Sequence, residues 1–472
     1  MNNKTKNLIK NFFYTFTSNL LVLIISTLVT LILPKILGIE EYGYWQLYIL
    51  YTSYTALLHL GWNDGVYLRY GGKEYQELDK SLFFSQFWML VIFELIITFI
   101  TYNLVGAFIN NFDKIFVLRM MVVCSLLVIP RGMLLFVLQG TNRIKDYAIA
   151  TIIEKIVYVI LIIILLTMRI REYQLLIVAD IIGKGISLLY VAINCKDIVF
   201  NSFRSFALSF NETYENIKAG IKVALAYVAS SLIVGTIRFG IEYTWDIATF
   251  GKVSLTLSVS NMMMTFINAV GLIMFPVLRR TDEKNFPDIY ITLRTILSVV
   301  LLGLILFYYP LRSILSSWLP KYAESLAYMA LIFPMSLYEG KMALLLNTYL
   351  KALRKEKMLM FINVVTFFFS LLLTWFFALF FKNLTLTVFS ILLLLAFRCI
   401  FAEIYISKEL NIKLNRNIIM EVILTLIFVI SSWVIGTWKG VSIYLIAYAI
   451  YISINWKNIC ETAKKIKILV KK

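Results

Sequence analysis

Apolar runs of about 20 residues, separated by short connections that hold most of the charge, recur along the whole of this 472-residue chain. A run of that length crosses the roughly 30 Å hydrocarbon core of a bilayer as an α-helix, which bonds its own backbone groups where no water can. A β-barrel would instead alternate apolar and polar residues in segments of about 10, a pattern absent here. The composition agrees, since 60% hydrophobic residues, 15% charged residues and a mean hydropathy of +0.82 exceed what a soluble domain carries. Fourteen such runs, from residues 12–33 to residues 440–454, predict an all-α polytopic membrane protein. Two runs are less regular: 44–64 is rich in Tyr and ends in Asn63-Asp64, and the last is short.

The formal net charge is +18, so the placement of the cations decides between nucleic acid and membrane as the partner. Most Lys and Arg fall on the side that carries the N-terminus. The positive-inside rule then puts both termini in the cytoplasm, as an even number of spans requires. Lys4, Lys6 and Lys10; Arg69, Lys73 and Lys80; Arg279, Arg280 and Lys284; Lys351, Arg354, Lys355 and Lys357; and the tail 464–472 form the inner clusters. Such clusters orient spans and meet anionic membrane lipids; no nucleic-acid partner follows. The first apolar run is too long for a signal-peptide core and lacks a small-x-small site, so it is expected to be a retained span.

Two sequence pairs suggest a repeat. Ile39-Glu40-Glu41-Tyr42-Gly43 follows the first run, and Ile247-Ala248-Thr249-Phe250-Gly251 stands 208 positions later after the seventh. Leu138-Gln139-Gly140 precedes Arg143 and Lys145, and Leu350-Lys351-Ala352, 212 positions on, precedes Lys355 and Lys357. Because six runs begin and end on the same side, the repeat is parallel, related by an axis along the membrane normal. The polar connection 196–216 serves as linker. The expected organisation is a first lobe of six spans at 1–208, a second at 209–408, and an appended pair with a basic tail at 409–472. Paired six-span lobes suggest a transporter that alternates access to the two membrane faces.

Other chemistries lack their residues. There is no Walker A loop and no soluble domain to carry one, so an ATPase within the chain is not expected. Cys124, Cys195, Cys399 and Cys460 are scattered and His59 is the single histidine, so neither a metal site nor a cofactor is expected. No catalytic constellation is visible, and a non-enzyme is predicted.

Ionisable residues inside spans are costly, and each is by default a candidate site. Five cations qualify: Arg131, Lys155, Lys184, Lys341 and Arg398, all in the inner half or near mid-depth of their runs. Cations there favour a phosphate-bearing ligand arriving from the inner leaflet. The competing account is that Arg131, Lys155 and Arg398 snorkel to the inner interface. Asp180 and Lys184, four apart in one run, can form an ion pair, and Arg238 and Glu242 repeat that spacing at an outer end. Glu154 and Lys155 are adjacent and are expected to point to different faces, so that neither can serve the other. Glu94, Glu154, Glu339 and Glu421 are left as buried carboxylates without a local partner. Glu94, Glu154, Asp180, Glu339 and His59 are the candidates for holding a coupling H+ or Na+. Pro130 and Pro334, in the fourth run of each lobe, are expected to bend their helices.

The opening residues, from Asn19 through Leu33-Pro34 and Leu37-Gly38-Ile39-Glu40-Glu41-Tyr42-Gly43 to Gly61, Gly65 and Arg69-Tyr70-Gly71, resemble the start of Wzx-type polysaccharide flippases. Gln139-Gly140 with Arg143 and Lys145 is similar to that family's loop after the fourth span. Those proteins share a superfamily with multidrug extruders and peptidoglycan-precursor flippases. The resemblance implies two six-helix lobes forming a V around a cationic cavity. It implies transfer of an undecaprenyl-pyrophosphate-linked oligosaccharide, an O-antigen or capsule repeat unit, from the cytoplasmic to the outer leaflet of the bacterial inner membrane. It further implies alternating access driven by an ion gradient, with polysaccharide polymerase and export machinery as partners. The first run lacks both the Arg-Asp pair of precursor flippases and the acidic residue of many drug extruders. A precursor flippase and a cation-coupled multidrug antiporter remain the alternatives. A polymerase or ligase would need a large outward loop that this chain lacks.

Overall fold

The computed structural model describes residues 3–279, 286–436 and 438–462. Helices α1 (Asn3–Ile36), α2 (Ile39–Thr52), α3 (Trp62–Tyr70), α4 (Lys80–Phe108), α5 (Phe112–Gly140), α6 (Ile144–Thr167), α7 (Tyr173–Asn194) and the short α8 (Lys196–Val199) lead into the long α9 (Phe210–Thr244). There follow α10 (Ile247–Arg279), α11 (Phe286–Leu304), α12 (Tyr308–Trp318), α13 (Met329–Ile332), α14 (Met335–Lys341), α15 (Asn347–Ala352), α16 (Glu356–Thr374), α17 (Leu384–Glu409), α18 (Asn415–Ile430) and α19 (Trp438–Ile454). No strand occurs among the described residues. Among the described residues ten helices are long and apolar enough to cross a membrane, or eleven if the bent pair Ser325–Ile332 and Met335–Ala352 is one span; Lys439–Ile454 is a shorter apolar helix. The chain is a multi-pass α-helical membrane protein. Arg280, Lys284 and the tail 464–472 lie outside the described residues.

The expected run 44–64 is not one continuous helix. Helix α2 stops at Thr52, a single 3-10 turn occupies Thr55–Leu57, and α3 begins at Trp62 after Leu60 and Gly61 at φ 51° and 81°. The break is stabilised locally, because the Gly61 amide donates to His59 Nδ1 at 3.1 Å and the Trp62 amide to the His59 carbonyl at 2.8 Å. Pro334 lies at the 41° bend between Ser325–Ile332 and Met335–Ala352, as expected of a proline that removes a helical donor. Pro130, by contrast, sits inside an α5 that runs on to Gly140. Two elements carry π-helical turns near Lys341 and at the end of α16, Met342–Leu346 and Trp375–Phe380.

The chain forms two compact units, Met1–Val228 and Ala229–Lys472, and the division falls inside α9. In the first, Trp62, Phe83, Phe87, Leu90, Met133 and Leu134 build a core shared by α3, α4 and α5. Glycine sets how closely α3 meets the first half of α9. A Cβ on Gly65 would lie 1.8 Å from the Asn216 carbonyl oxygen, and one on Gly220 would lie 2.0 Å from that of Gly61. Small residues let membrane helices touch backbone to backbone, where packing must replace a hydrophobic driving force. Beside that contact Arg69 Nη1 and Tyr70 Oη donate to Glu212, the latter at 2.6 Å, and Gln86 Nε2 donates to Ser209 Oγ at 2.7 Å.

The two sequence pairs take matching local structures. Ile39 and Ile247 each open a helix, with the Tyr42 amide donating to the Gly38 carbonyl and the Phe250 amide to the Asp246 carbonyl, at 3.0 and 3.1 Å. After Gly140 and after Ala352 the chain turns through left-handed Asn142 and Arg354, φ 61° and 56°. The Arg143 amide then donates to Leu138 and the Lys355 amide to Leu350, closing both helix ends with the same six-residue bond at 2.8 and 2.7 Å. A third pair was not visible in the residues: Arg169 and Lys382, 213 positions apart, stand at φ 61° and 48° after α6 and after the π turn that ends α16.

Candidate ligand and ion sites

Within the first unit, α5, α6 and α7 bring three of the five expected cations into two neighbouring ion-paired groups. Gly183 makes this possible on the α6–α7 face, since a Cβ there would stand 2.8 Å from the Glu154 carbonyl oxygen. Arg131 on α5 reaches across to both helices: Nη2 lies 2.5 Å from Glu154 Oε2 and Nε donates to Ser187 Oγ at 2.9 Å. Lys155 Nζ lies 3.0 Å from the other oxygen of Glu154. The expectation that Glu154 and Lys155 could not serve one another is therefore corrected. Their Cβ atoms diverge, but the four-carbon lysine stem curls back. One carboxylate thus serves two cations, and Lys155 is the outermost of the three, with 31% of its side chain exposed against 8% for Arg131.

The predicted Asp180–Lys184 pair is present, at 2.5 Å. Tyr48 Oη donates to the same Asp180 oxygen at 2.8 Å, and Lys184 Nζ is 3.4 Å from Cys124 Sγ. Trp45 stacks on Tyr158 at 5.8 Å between ring centroids, and the Lys184 ammonium lies 5.5 Å from the Tyr48 ring centre. Charged heads and aromatic faces therefore share this part of the unit, a combination suited to phosphate and sugar.

In the second unit Lys341 and Arg398 occupy separate settings. Lys341 is 1% exposed and sits 2.6 Å from Glu403 and 2.7 Å from Glu421. Arg294 completes a quartet: its Nε donates to Glu403 and its Nη2 is 3.0 Å from Glu421, which also accepts from Ser298 Oγ at 2.6 Å. Two cations and two carboxylates from α11, α14, α17 and α18 thus neutralise one another in a closed interior. Arg294 and Glu403 were missed in the sequence, as each lies near one end of a long apolar run where a charge reads as interfacial. Arg398 donates to Asn363, Glu339 and Ser230 at 2.9, 3.0 and 2.9 Å. Glu154, Glu339 and Glu421, expected to lack local partners, all find cations on other helices. For Glu339 that cation is 59 positions away, beyond the reach of helical spacing rules.

Two ion candidates stand apart from these groups. His59 is buried and serves the α2–α3 break through the Gly61 amide described above. Glu94 on α4 is 0% exposed, and neither carboxylate oxygen has a hydrogen-bond partner among the described residues. Among those residues no cluster of His, Cys, Asp and Glu suited to a metal ion occurs.

No protein-family model matches this sequence, and no curated protein matches it. Solved structures do. The lipid II flippase MurJ in an inward closed conformation superposes with a TM-score of 0.66 at 13% identity, covering 96% of this chain and all of its own. A multidrug resistance MATE family transporter of the MOP superfamily, inward-facing, gives 0.59 at 10% identity over 82% of this chain and 95% of its own. A MATE protein in a straight conformation gives 0.55 at 11% identity, over 85% and 96%. At these identities the likeness establishes the fold: the chain adopts the architecture of these transporters along nearly its whole length.

Proposed function

We propose that this protein is a transporter that moves undecaprenyl-pyrophosphate-linked oligosaccharide repeat units from the cytoplasmic to the outer leaflet of a bacterial inner membrane. It serves surface-polysaccharide synthesis, with O-antigen or capsule as the class of product and a polymerase acting on the delivered units. The observation that carries the reading is the charge balance of the two ion-paired groups formed by α5, α6 and α7, from which the buried Glu94 stands apart. Arg131 and Lys155 divide the single charge of Glu154, while Lys184 is matched by Asp180. The surplus is positive and its outermost member is a lysine head, which favours an anionic diphosphate over a cationic drug. The second unit supplies no such surplus among Arg294, Lys341 and Arg398, which are balanced by Glu339, Glu403 and Glu421. The ligand cations are accordingly Arg131, Lys155 and Lys184, with Lys341 and Arg398 holding the second unit together. The similarity in fold to a lipid II flippase supports a lipid-linked cargo.

The test is export of surface polymer in a flippase-deficient strain carrying the triple variant Arg131→Ala, Lys155→Ala, Lys184→Ala at normal membrane level. Loss of export is expected; full export would remove these residues from the substrate path. A multidrug antiporter would instead leave polymer export unchanged and alter susceptibility to cationic drugs.

A further inference from the structure

We propose that Glu94, with Thr98 one turn along α4, is the protein's binding site for a single monovalent cation, either H+ or Na+. Three oxygens with no partner point to it. Both Glu94 carboxylate oxygens and Thr98 Oγ1 are inaccessible and make no hydrogen bond among the described residues. Residues four apart share a helix face, so the hydroxyl and the carboxyl project from the same side of α4. A buried carboxylate is tolerated when it is paired, hydrogen-bonded or bound to a cation. The other span carboxylates discussed above, Glu154, Asp180, Glu339, Glu403 and Glu421, all have a cation within 3.0 Å.

Among the described residues the surroundings of Glu94 offer no such neighbour. Helix α4 packs against α5, α8 and the turn Phe203–Ser205. On α5, Arg131 pairs with Glu154, Arg119 lies 4.6 Å from the Tyr102 ring centre, Asp113 accepts from Tyr173, and Cys124 meets Lys184. Lys114 has an interaction elsewhere, and Lys196, Asp197 and Arg204 sit in or beside the inner connection after α7. Nearby α3 carries Asp64 and Arg69, the latter bound to Glu212. None of these contacts a Glu94 oxygen. The residue is a single negative charge with up to three oxygen donors, which fits one proton or one sodium ion and does not neutralise a divalent ion. Its use as the site that couples a cation gradient to transport rests on the flippase reading above.

Infrared difference spectra of the full-length protein in lipid nanodiscs test the site itself, with no glycan present. One series changes pH in choline chloride; the other adds sodium chloride at fixed pH. A carboxyl band that changes in the wild type and is absent from Glu94→Gln is expected. Response to pH alone identifies a proton site. Response to sodium identifies a sodium site, and Thr98→Val should then weaken sodium about 10-fold, the lower end of what losing a supporting group costs a cation site. Identical spectra for the wild type and Glu94→Gln in both series would overturn the proposal. If Glu94→Gln is not monodisperse, Glu94→Asp takes its place, and a band left unmoved by the shortened side chain overturns it equally. Because transport is not read, failure here leaves the flippase reading standing.

Discussion

Replacing Lys341 by Met tests whether the quartet in the second unit is a structural lock. Its ammonium lies 2.6 and 2.7 Å from two carboxylates that are themselves at most 3% exposed. At an effective dielectric of about 20, each contact contributes roughly 6 kcal/mol of Coulomb attraction, most of it offset by desolvation. Removing the cation leaves Glu403 and Glu421 to share Arg294 alone, and breaking a buried ion pair in this way costs about 3–5 kcal/mol. At roughly 2–4 °C per kcal/mol for a unit of this size, Tm should fall by roughly 6–20 °C. Thermal unfolding of the purified protein, followed by size-exclusion fluorescence, reads that shift. The double variant Lys341→Met, Glu421→Gln restores neutrality as Arg294–Glu403 and should recover more than half of the loss. As a control, Lys355→Ala, which opens a solvent-exposed pair with Glu409, should move Tm by less than about 2 °C. A Lys341→Met protein that melts within about 2 °C of the wild type, or a double variant less stable than the single, would refute the reasoning.

Lys155→Ala should cut transport while leaving Tm within about 2 °C, because its pair is partly exposed and Arg131 still serves Glu154. Arg131→Ala should lower both transport and Tm, by about 3 kcal/mol of stability in the first unit; parallel export and melting assays separate the two effects. Gly65→Ala places a methyl within 1.8 Å of the Asn216 carbonyl oxygen and should cost at least about 1–3 kcal/mol, read as reduced yield of folded protein and lower Tm. Asp79 caps α4 by accepting from the Ser81 and Leu82 amides, and the Ser81 hydroxyl with those amides holds its carboxyl below the ordinary range. A depressed carboxyl contributes its stability above about pH 4 and loses it as pH falls below that value. Asp79→Ala should therefore cost about 0.5–2 kcal/mol near pH 7, with the difference from wild type shrinking in acid.

Much of the architecture was legible because hydropathy is a local signal: the helices sit where the apolar runs predicted them, and the Asp180–Lys184 pair followed from spacing on one helix. The break in the second run was not legible because its length was counted without its breakers. Leu60 and Gly61 take positive φ, and His59 caps the break, so a Tyr-rich stretch divides into α2 and α3. Partners on different helices were not legible. Glu339 and Arg398, or Lys341 with Glu403 and Glu421, are brought together by tertiary packing that no spacing rule within a helix encodes. The same limit hid which acid lacked a partner. Four carboxylates looked alike in sequence, and packing left Glu94 without one among the described residues. The turns at Asn142 and Arg354, and at Arg169 and Lys382, agree more clearly in backbone geometry than in residue identity, because different side chains satisfy the same left-handed cap.

Reconstitution of the purified protein in liposomes with an undecaprenyl-pyrophosphate-linked oligosaccharide tests the central claim most directly. The quantity measured is the fraction of glycan that becomes accessible to a membrane-impermeant glycosidase after a cation gradient is imposed. The account predicts protein-dependent transfer from one leaflet to the other, reduced in Lys155→Ala and lost in the triple variant lacking Arg131, Lys155 and Lys184. Glycan that stays protected at the level of protein-free liposomes, in vesicles that do move a cationic dye, would contradict it.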